Sequence, residues 1–106
     1  MSGSRTIIKD EDRLDNVHPG DILREDFLIG TEISLEEVAK GAGIDIDLLR
    51  KIVASSHDID APTGVRLARY LGMSEGFFLG LQLDYDLEEV RLREGDELDR
   101  IVPRAA

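Results

Sequence analysis

The sequence predicts an all-α fold of five short helices, two of them joined as a helix-turn-helix. Three observations carry that expectation. Apolar residues recur at three- and four-residue intervals in successive stretches, as one buried helix face requires. Gly, Ser, Asp and Pro stand between the stretches, where caps and turns need them. No stretch alternates apolar with polar residues convincingly, so no sheet is expected beyond, at most, a short terminal strand.

Residues 1–16 are mainly polar and charged, with one apolar pair at Ile7-Ile8, and form an arm expected to become ordered against a neighbour. His18-Pro19-Gly20 opens the first helix, since proline lacks an N–H that a first turn leaves unused anyway. His18 is expected to cap or pack there. Ile22, Leu23, Phe27 and Leu28 make its apolar stripe, and Gly30 ends it. Ser34-Leu35-Glu36-Glu37 has the spacing of a capping box, in which Ser34 accepts from the Glu37 N–H and the Glu37 carboxylate reaches back. The second helix runs from there to about Ala42, and Gly43 suits a left-handed stop.

Asp45 is placed to cap a third helix with Leu49, Ile52 and Val53 inward, closing near Ser55 and Ser56. Asp60-Ala61-Pro62 starts a fourth, with Val65, Leu67, Ala68 and Leu71 inward and Gly72 closing it. Ser74-Glu75 starts a fifth, rich in Phe77, Phe78, Leu79, Leu81 and Leu83 and reaching toward Leu92. Gly95 is expected to interrupt it before a last segment, Leu98 to Val102. The domain plan is then an arm over 1–16, a helix-turn-helix domain over 17–93 and a tail over 94–106.

A chain of 106 residues suits one domain. With three Phe, two Tyr and no Trp, its core is aliphatic and leaves no room for a large ligand cavity. The absence of Cys removes thiol catalysis, disulfides and thiolate metal sites, which fits a reducing cytosol. No apolar run reaches membrane-spanning length, and Met1-Ser2-Gly3-Ser4-Arg5 has no signal-peptide core. A cytoplasmic protein is expected. His18 and His57 lie far apart without a third ligand, so neither metal nor cofactor is expected. The many carboxylates have no pocket to shift them and no nucleophile–base pair stands out, so the chain reads as a binding protein rather than an enzyme.

The net charge of −10 runs against the cationic surplus usual in DNA-binding domains. Its distribution is uneven: residues 18–33 carry −3 and residues 84–106 carry −4. Such acid is either an ordinary solvated surface or a face offered to a basic protein partner. The Phe77-Phe78 block reads as core or dimer seam. Gly76 and Gly80 beside it either permit close helix contact or merely weaken the helix.

The second and third helices meet the small requirements of a helix-turn-helix: Ala39 where the helices cross, Gly43 at the turn, and Ile44, Leu49 and Ile52 to pin the second helix. A generic helical hairpin meets them too. The longer pattern is more specific. His18-Pro19-Gly20-Asp21-Ile22-Leu23-Arg24-Glu25-Asp26-Phe27-Leu28, Ile33-Ser34-Leu35-Glu36-Glu37-Val38-Ala39, Thr63 through Arg69 with Leu71-Gly72-Met73-Ser74, and Phe77-Phe78-Leu79-Gly80-Leu81-Gln82 with Tyr85-Asp86-Leu87 follow one another in order. With Gly95 through Ile101 and Pro103-Arg104, this series resembles the HigA-type antitoxins of the Xre, λ-repressor-like family over about residues 17–104. The resemblance implies a five-helix λ-repressor-like DNA-binding domain. It also implies a bacterial antitoxin of a two-gene toxin–antitoxin module, which forms a homodimer, neutralises a RelE-like messenger-cleaving toxin and represses its own operon.

The chain departs from that family where DNA would be read. Leu35 stands where members usually have Gln, and Ile46, Asp47 and Leu48 stand where they are usually polar or basic. Phosphate repels a carboxylate, although Asp can accept from cytosine N4. The expected DNA-binding set is therefore Arg50 and Lys51 on the outward face of the third helix, with Asp47 beside them and Ser55, Ser56 and His57 in the loop beyond. Two functions fit these residues: an autorepressing antitoxin that binds the operator of its own promoter, or a helix-turn-helix scaffold that binds only protein. A stand-alone regulator is a further alternative.

Overall fold

Five helices follow one another in the expected order in a computed structural model that describes residues 16–105. They are α1 (Pro19–Ile22, continuing as a π-helical stretch Leu23–Ile29), α2 (Leu35–Ala42), α3 (Ile46–Val53), α4 (Ala61–Leu71) and α5 (Phe77–Asp99). No strand occurs among the described residues. The arm expected over 1–16, with its Ile7-Ile8 pair, lies outside them except for Asn16. That side chain donates to the Tyr85 carbonyl and to the Glu89 carboxylate, both at 3.0 Å, and so pins the start of the described chain to α5.

The caps explain where each helix starts. His18 is extended, and its Nδ1 accepts the Gly20 N–H at 2.9 Å while Pro19 fills the first turn. Asp45 and Asp60 cap α3 and α4 by accepting the N–H groups of Leu48 and Thr63 at 3.1 and 3.0 Å. Ser34 accepts the Glu37 N–H at 3.0 Å, but the second half of the expected capping box is replaced. The Glu37 carboxylate instead accepts the Tyr70 hydroxyl at 3.3 Å, tying α2 to α4.

Two boundaries depart from the sequence expectation, both on α5. Ser74 accepts the Phe77 N–H at 3.0 Å in a turn, so the helix starts at Phe77 rather than at Ser74-Glu75. Gly95 does not end it. The helix kinks at Glu94, which takes φ −122° and ψ 17°, and continues to Asp99, leaving 101–105 without helix. One glycine weakens a helix by only about 1 kcal/mol, and the neighbouring Glu94 absorbs the bend.

Leu23, Val38, Leu49, Ile52, Leu67 and Phe78 are fully buried and draw all five helices onto one core. Each such side chain contributes about 1.5–3 kcal/mol through burial. Phe27 closes the core beside Phe77 and Phe78, with ring centroids 6.0 and 5.3 Å away. Gly76 and Gly80 face open space, so neither serves a close contact within the described chain. Leu83 and Leu87, one turn apart on α5, stay exposed.

Candidate nucleic-acid interface

The turn between α2 and α3 is set by local chemistry. Gly43 takes φ 69° and ψ 40°, a left-handed conformation costly for residues with a Cβ. The next N–H, of Ile44, then bonds back to the Ala39 carbonyl at 2.9 Å, and Ile44 and Ala39 are both buried under the turn. From α4, the Arg66 guanidinium donates to the carbonyls of Ala42 and Gly43 at 3.3 and 3.5 Å, bracing the same turn. Two helices of 8 residues are thereby held in a helix-turn-helix.

The C-terminal end of α3 is clamped to α1. Gly20 lies so close that a Cβ there would sit 1.8 Å from the Ile52 carbonyl oxygen. Arg24 donates to the Val53 carbonyl, one of the last of the helix and otherwise short of a partner. The same guanidinium bonds Asp21 at 3.0 Å, and Asp21 accepts the Ser55 hydroxyl at 2.6 Å. The Ser55 hydroxyl, and then Arg24, hold the Asp21 carboxyl below its ordinary value, against the opposing effect of burial. Ser55 itself is held at φ 61°.

The outward face of α3 is built differently. Asp47, Arg50, Lys51 and Ala54 are all exposed on one face, opposite the buried Leu49 and Ile52. Arg50 donates to Asp47 at 3.1 Å and lies 3.9 Å from Glu36 of α2. Lys51 makes no ion pair among the described residues. Next to Arg50 is a shallow notch lined by Glu36, Ala39, Lys40, Ile44 and Ile46. Leu35, Ile46 and Leu48, the apolar departures noted in the sequence, are half-buried and pack against the core. They belong mainly to the interior and leave the outward face to charged side chains.

Of the six residues expected to meet DNA, Asp47, Arg50 and Lys51 share that face. Ser55 is turned toward α1 by its bond to Asp21. Ser56 and His57 are exposed in the following loop, Ser56 donating to the Lys51 carbonyl at 3.0 Å and His57 Nδ1 to the Asp58 carbonyl at 2.7 Å. His18 is buried and lies edge-on to Tyr85, with ring centroids 4.9 Å apart. Its Nδ1 is already an acceptor, so Nε2 carries the proton and faces Asp58 at 3.4 Å. Gly20, Asp21, Arg24 and Arg66 were missed by sequence reasoning. The i,i+3 spacing of Asp21 and Arg24 was visible, but it marks a local pair and says nothing of their common target on α3. Among the described residues no group of three or more His, Cys, Asp or Glu could hold a metal, and no helix is long and apolar enough to cross a membrane.

No family model matches the chain. It is 32% identical over 87 residues to virulence-associated protein I of Dichelobacter nodosus, covering 82% of this chain and 80% of that protein. Among solved structures it is similar to PA4674 from Pseudomonas aeruginosa in complex with its operator DNA, with 32% identity, a TM-score of 0.78, and 85% and 96% of the two chains covered. The P. aeruginosa antitoxin HigA, solved with the higBA promoter, gives 31% identity and a TM-score of 0.76 over 85% of this chain and 99% of that one. An addiction-module antidote protein of the HigA family from Coxiella burnetii gives 29% and 0.76 over 84% and 98%.

Proposed function

The chain belongs to the HigA-type family of helix-turn-helix antitoxins of the Xre class, and from that premise we propose that it is a DNA-binding antitoxin that represses the promoter of its own toxin–antitoxin module. The reading is supported above all by one observation. The exposed Asp47, Arg50 and Lys51 of α3 project from a rigidly held helix-turn-helix, in a chain similar over 85% of its length to a protein solved on its operator. Arg50 pairs with a base edge and Lys51 meets phosphate. With two cations on this face, affinity is modest at physiological salt.

The protein acts in the cytoplasm by binding, not by catalysis. It forms a homodimer through the exposed Leu83 and Leu87 of α5 or the tail beyond it, which presents two copies of α3 to successive major grooves. Its protein partner is a basic, RelE-like toxin, steered by the acid over 84–99 and 18–33. The plan of the chain is an arm over 1–16, of which 1–15 lie outside the described residues, a domain over 17–93 and a tail over 94–106.

A gel shift of the DNA upstream of its own gene, at several salt concentrations, tests this reading. Binding that weakens as salt rises is expected, together with the mass of a dimer in light scattering and a monomer for Leu87→Glu. The carboxylates of Glu36 and Asp47 and the net charge of −10 favour a second reading, a scaffold that binds only protein. Failure to bind the promoter at any salt would establish it.

A further inference from the structure

Resting on the operator-binding reading, we propose that Asp47 is a specificity-determining residue: its carboxylate positions the Arg50 guanidinium for the edge of a guanine and withholds it from phosphate, with Glu36 assisting from α2. Arg50 Nη1 donates to Asp47 Oδ1 at 3.1 Å, and Nη2 lies 3.9 Å from Glu36 Oε2. The three side chains are 55%, 77% and 72% exposed for Arg50, Asp47 and Glu36. They stand at the outward tip of the helix-turn-helix, where the core asks nothing of them. An exposed pair of this kind contributes little to folding.

Its effect on DNA binding is larger. Phosphate is present at every step of a duplex, so a carboxylate on the reading face is repelled by every sequence alike. Only a base edge can compensate it. The guanidinium is a planar fork of five donors, and with one N–H held by Asp47 its remaining donors are fixed to meet N7 and O6 of guanine. The second Asp47 oxygen has no partner among the described residues, and accepts from an amino group, cytosine N4 or adenine N6, on the neighbouring base pair. Lys51, outside the cluster, keeps the phosphate contact. Asp47 and Glu36 thus lower affinity for all DNA and lower it most for the wrong DNA, which is discrimination through an unfavourable element.

The test uses the full-length chain, a duplex from its own promoter and a scrambled duplex of the same length and composition, each titrated across salt. It adds selection from a randomised duplex library. Asp47→Ala is expected to bind the scrambled duplex several-fold more tightly. Its salt slope should steepen by about 1.8, one further phosphate contact from each protomer of the dimer, because Arg50 is released. The ratio of promoter to scrambled affinity should fall roughly tenfold, and the guanine should disappear from the selected sequences. Glu36→Gln should move the slope and the ratio in the same direction by less, and in an Arg50→Ala background Asp47→Ala should leave the preference at the guanine position unchanged. An Asp47→Ala protein that keeps its selected sequence and its affinity ratio, or that loses affinity for both duplexes equally, overturns the proposal. A wild-type chain that ignores its promoter removes the operator reading and this inference together, whereas promoter binding with an unchanged ratio removes the role of Asp47 alone.

Discussion

Two sides of α3 are held by opposite strategies. On the side turned to α1, Gly20, Asp21, Arg24 and Ser55 join α1 to the last turn through backbone contact and hydrogen bonds. On the outward face, Asp47, Arg50 and Lys51 stand in solvent, and the Asp47–Arg50 ion pair is weak while it stays there. A helix inserted into a groove must be rigid where it is mounted and adaptable where it reads. Substitutions at the mount should therefore change stability, and substitutions on the reading face should change binding.

Gly20→Ala attacks the mount most directly. A Cβ there would lie 1.8 Å from the Ile52 carbonyl oxygen, a backbone atom that cannot swing aside. Forcing the helices apart should cost about 3 kcal/mol, at the upper end for overpacking, read as a lower urea midpoint. An unchanged midpoint would mean that α1 does not sit on α3 as described. Ser55→Ala should cost less, about 1–2 kcal/mol, because it loses the hydrogen bond to Asp21 while keeping a Cβ at positive φ. Ser55→Gly loses the same bond but relieves the backbone, so it should be the more stable of the two variants. The reverse order would dismiss backbone strain at this site.

Asp21 gives the mount a pH dependence. Its carboxyl is held below the ordinary value of 3.8 in the folded chain. The associated stabilisation is therefore fully present above that value and is lost as pH falls through the lower folded value. Asp21→Asn should lower the urea midpoint at neutral pH, and the gap to wild type should close in acid, once the pH has fallen through the lowered folded value. A gap of the same size in acid would assign the effect to packing rather than to charge.

Much of this arrangement was legible in the sequence. Ser34, Asp45 and Asp60 cap the helices they were expected to cap, and Gly43 and Gly72 take the left-handed turns, because caps and turns depend on residues a few positions apart. The inward faces of α3 and α4 follow from helical period for the same reason. The mount was not legible. Asp21 and Ser55 are separated by 34 positions, and Arg24 and the Val53 carbonyl by 29, distances over which no periodicity speaks. The apolar Leu35, Ile46 and Leu48 were misleading for a related reason. The resemblance led to an expectation of polar residues at these places, but in this chain they lean into the core, and only the packed structure reveals that. Gly95 was identified as the breaker one residue from the kink at Glu94, yet local propensity alone could not tell a bend from a stop.

The central claim is that the outward face of α3 reads DNA while the side turned to α1 only holds the helix in place. Fluorescence anisotropy with a labelled duplex from the chain's own promoter tests it most directly, comparing wild type with Arg50→Ala and following each protein's thermal midpoint in parallel. Loss of a base-edge contact should weaken promoter binding by about 1–3 kcal/mol, roughly five- to 150-fold, with the thermal midpoint unchanged because Arg50 is exposed and unconnected to the mount. Tight promoter binding left untouched by Arg50→Ala would contradict the account and move the reading face elsewhere on the molecule.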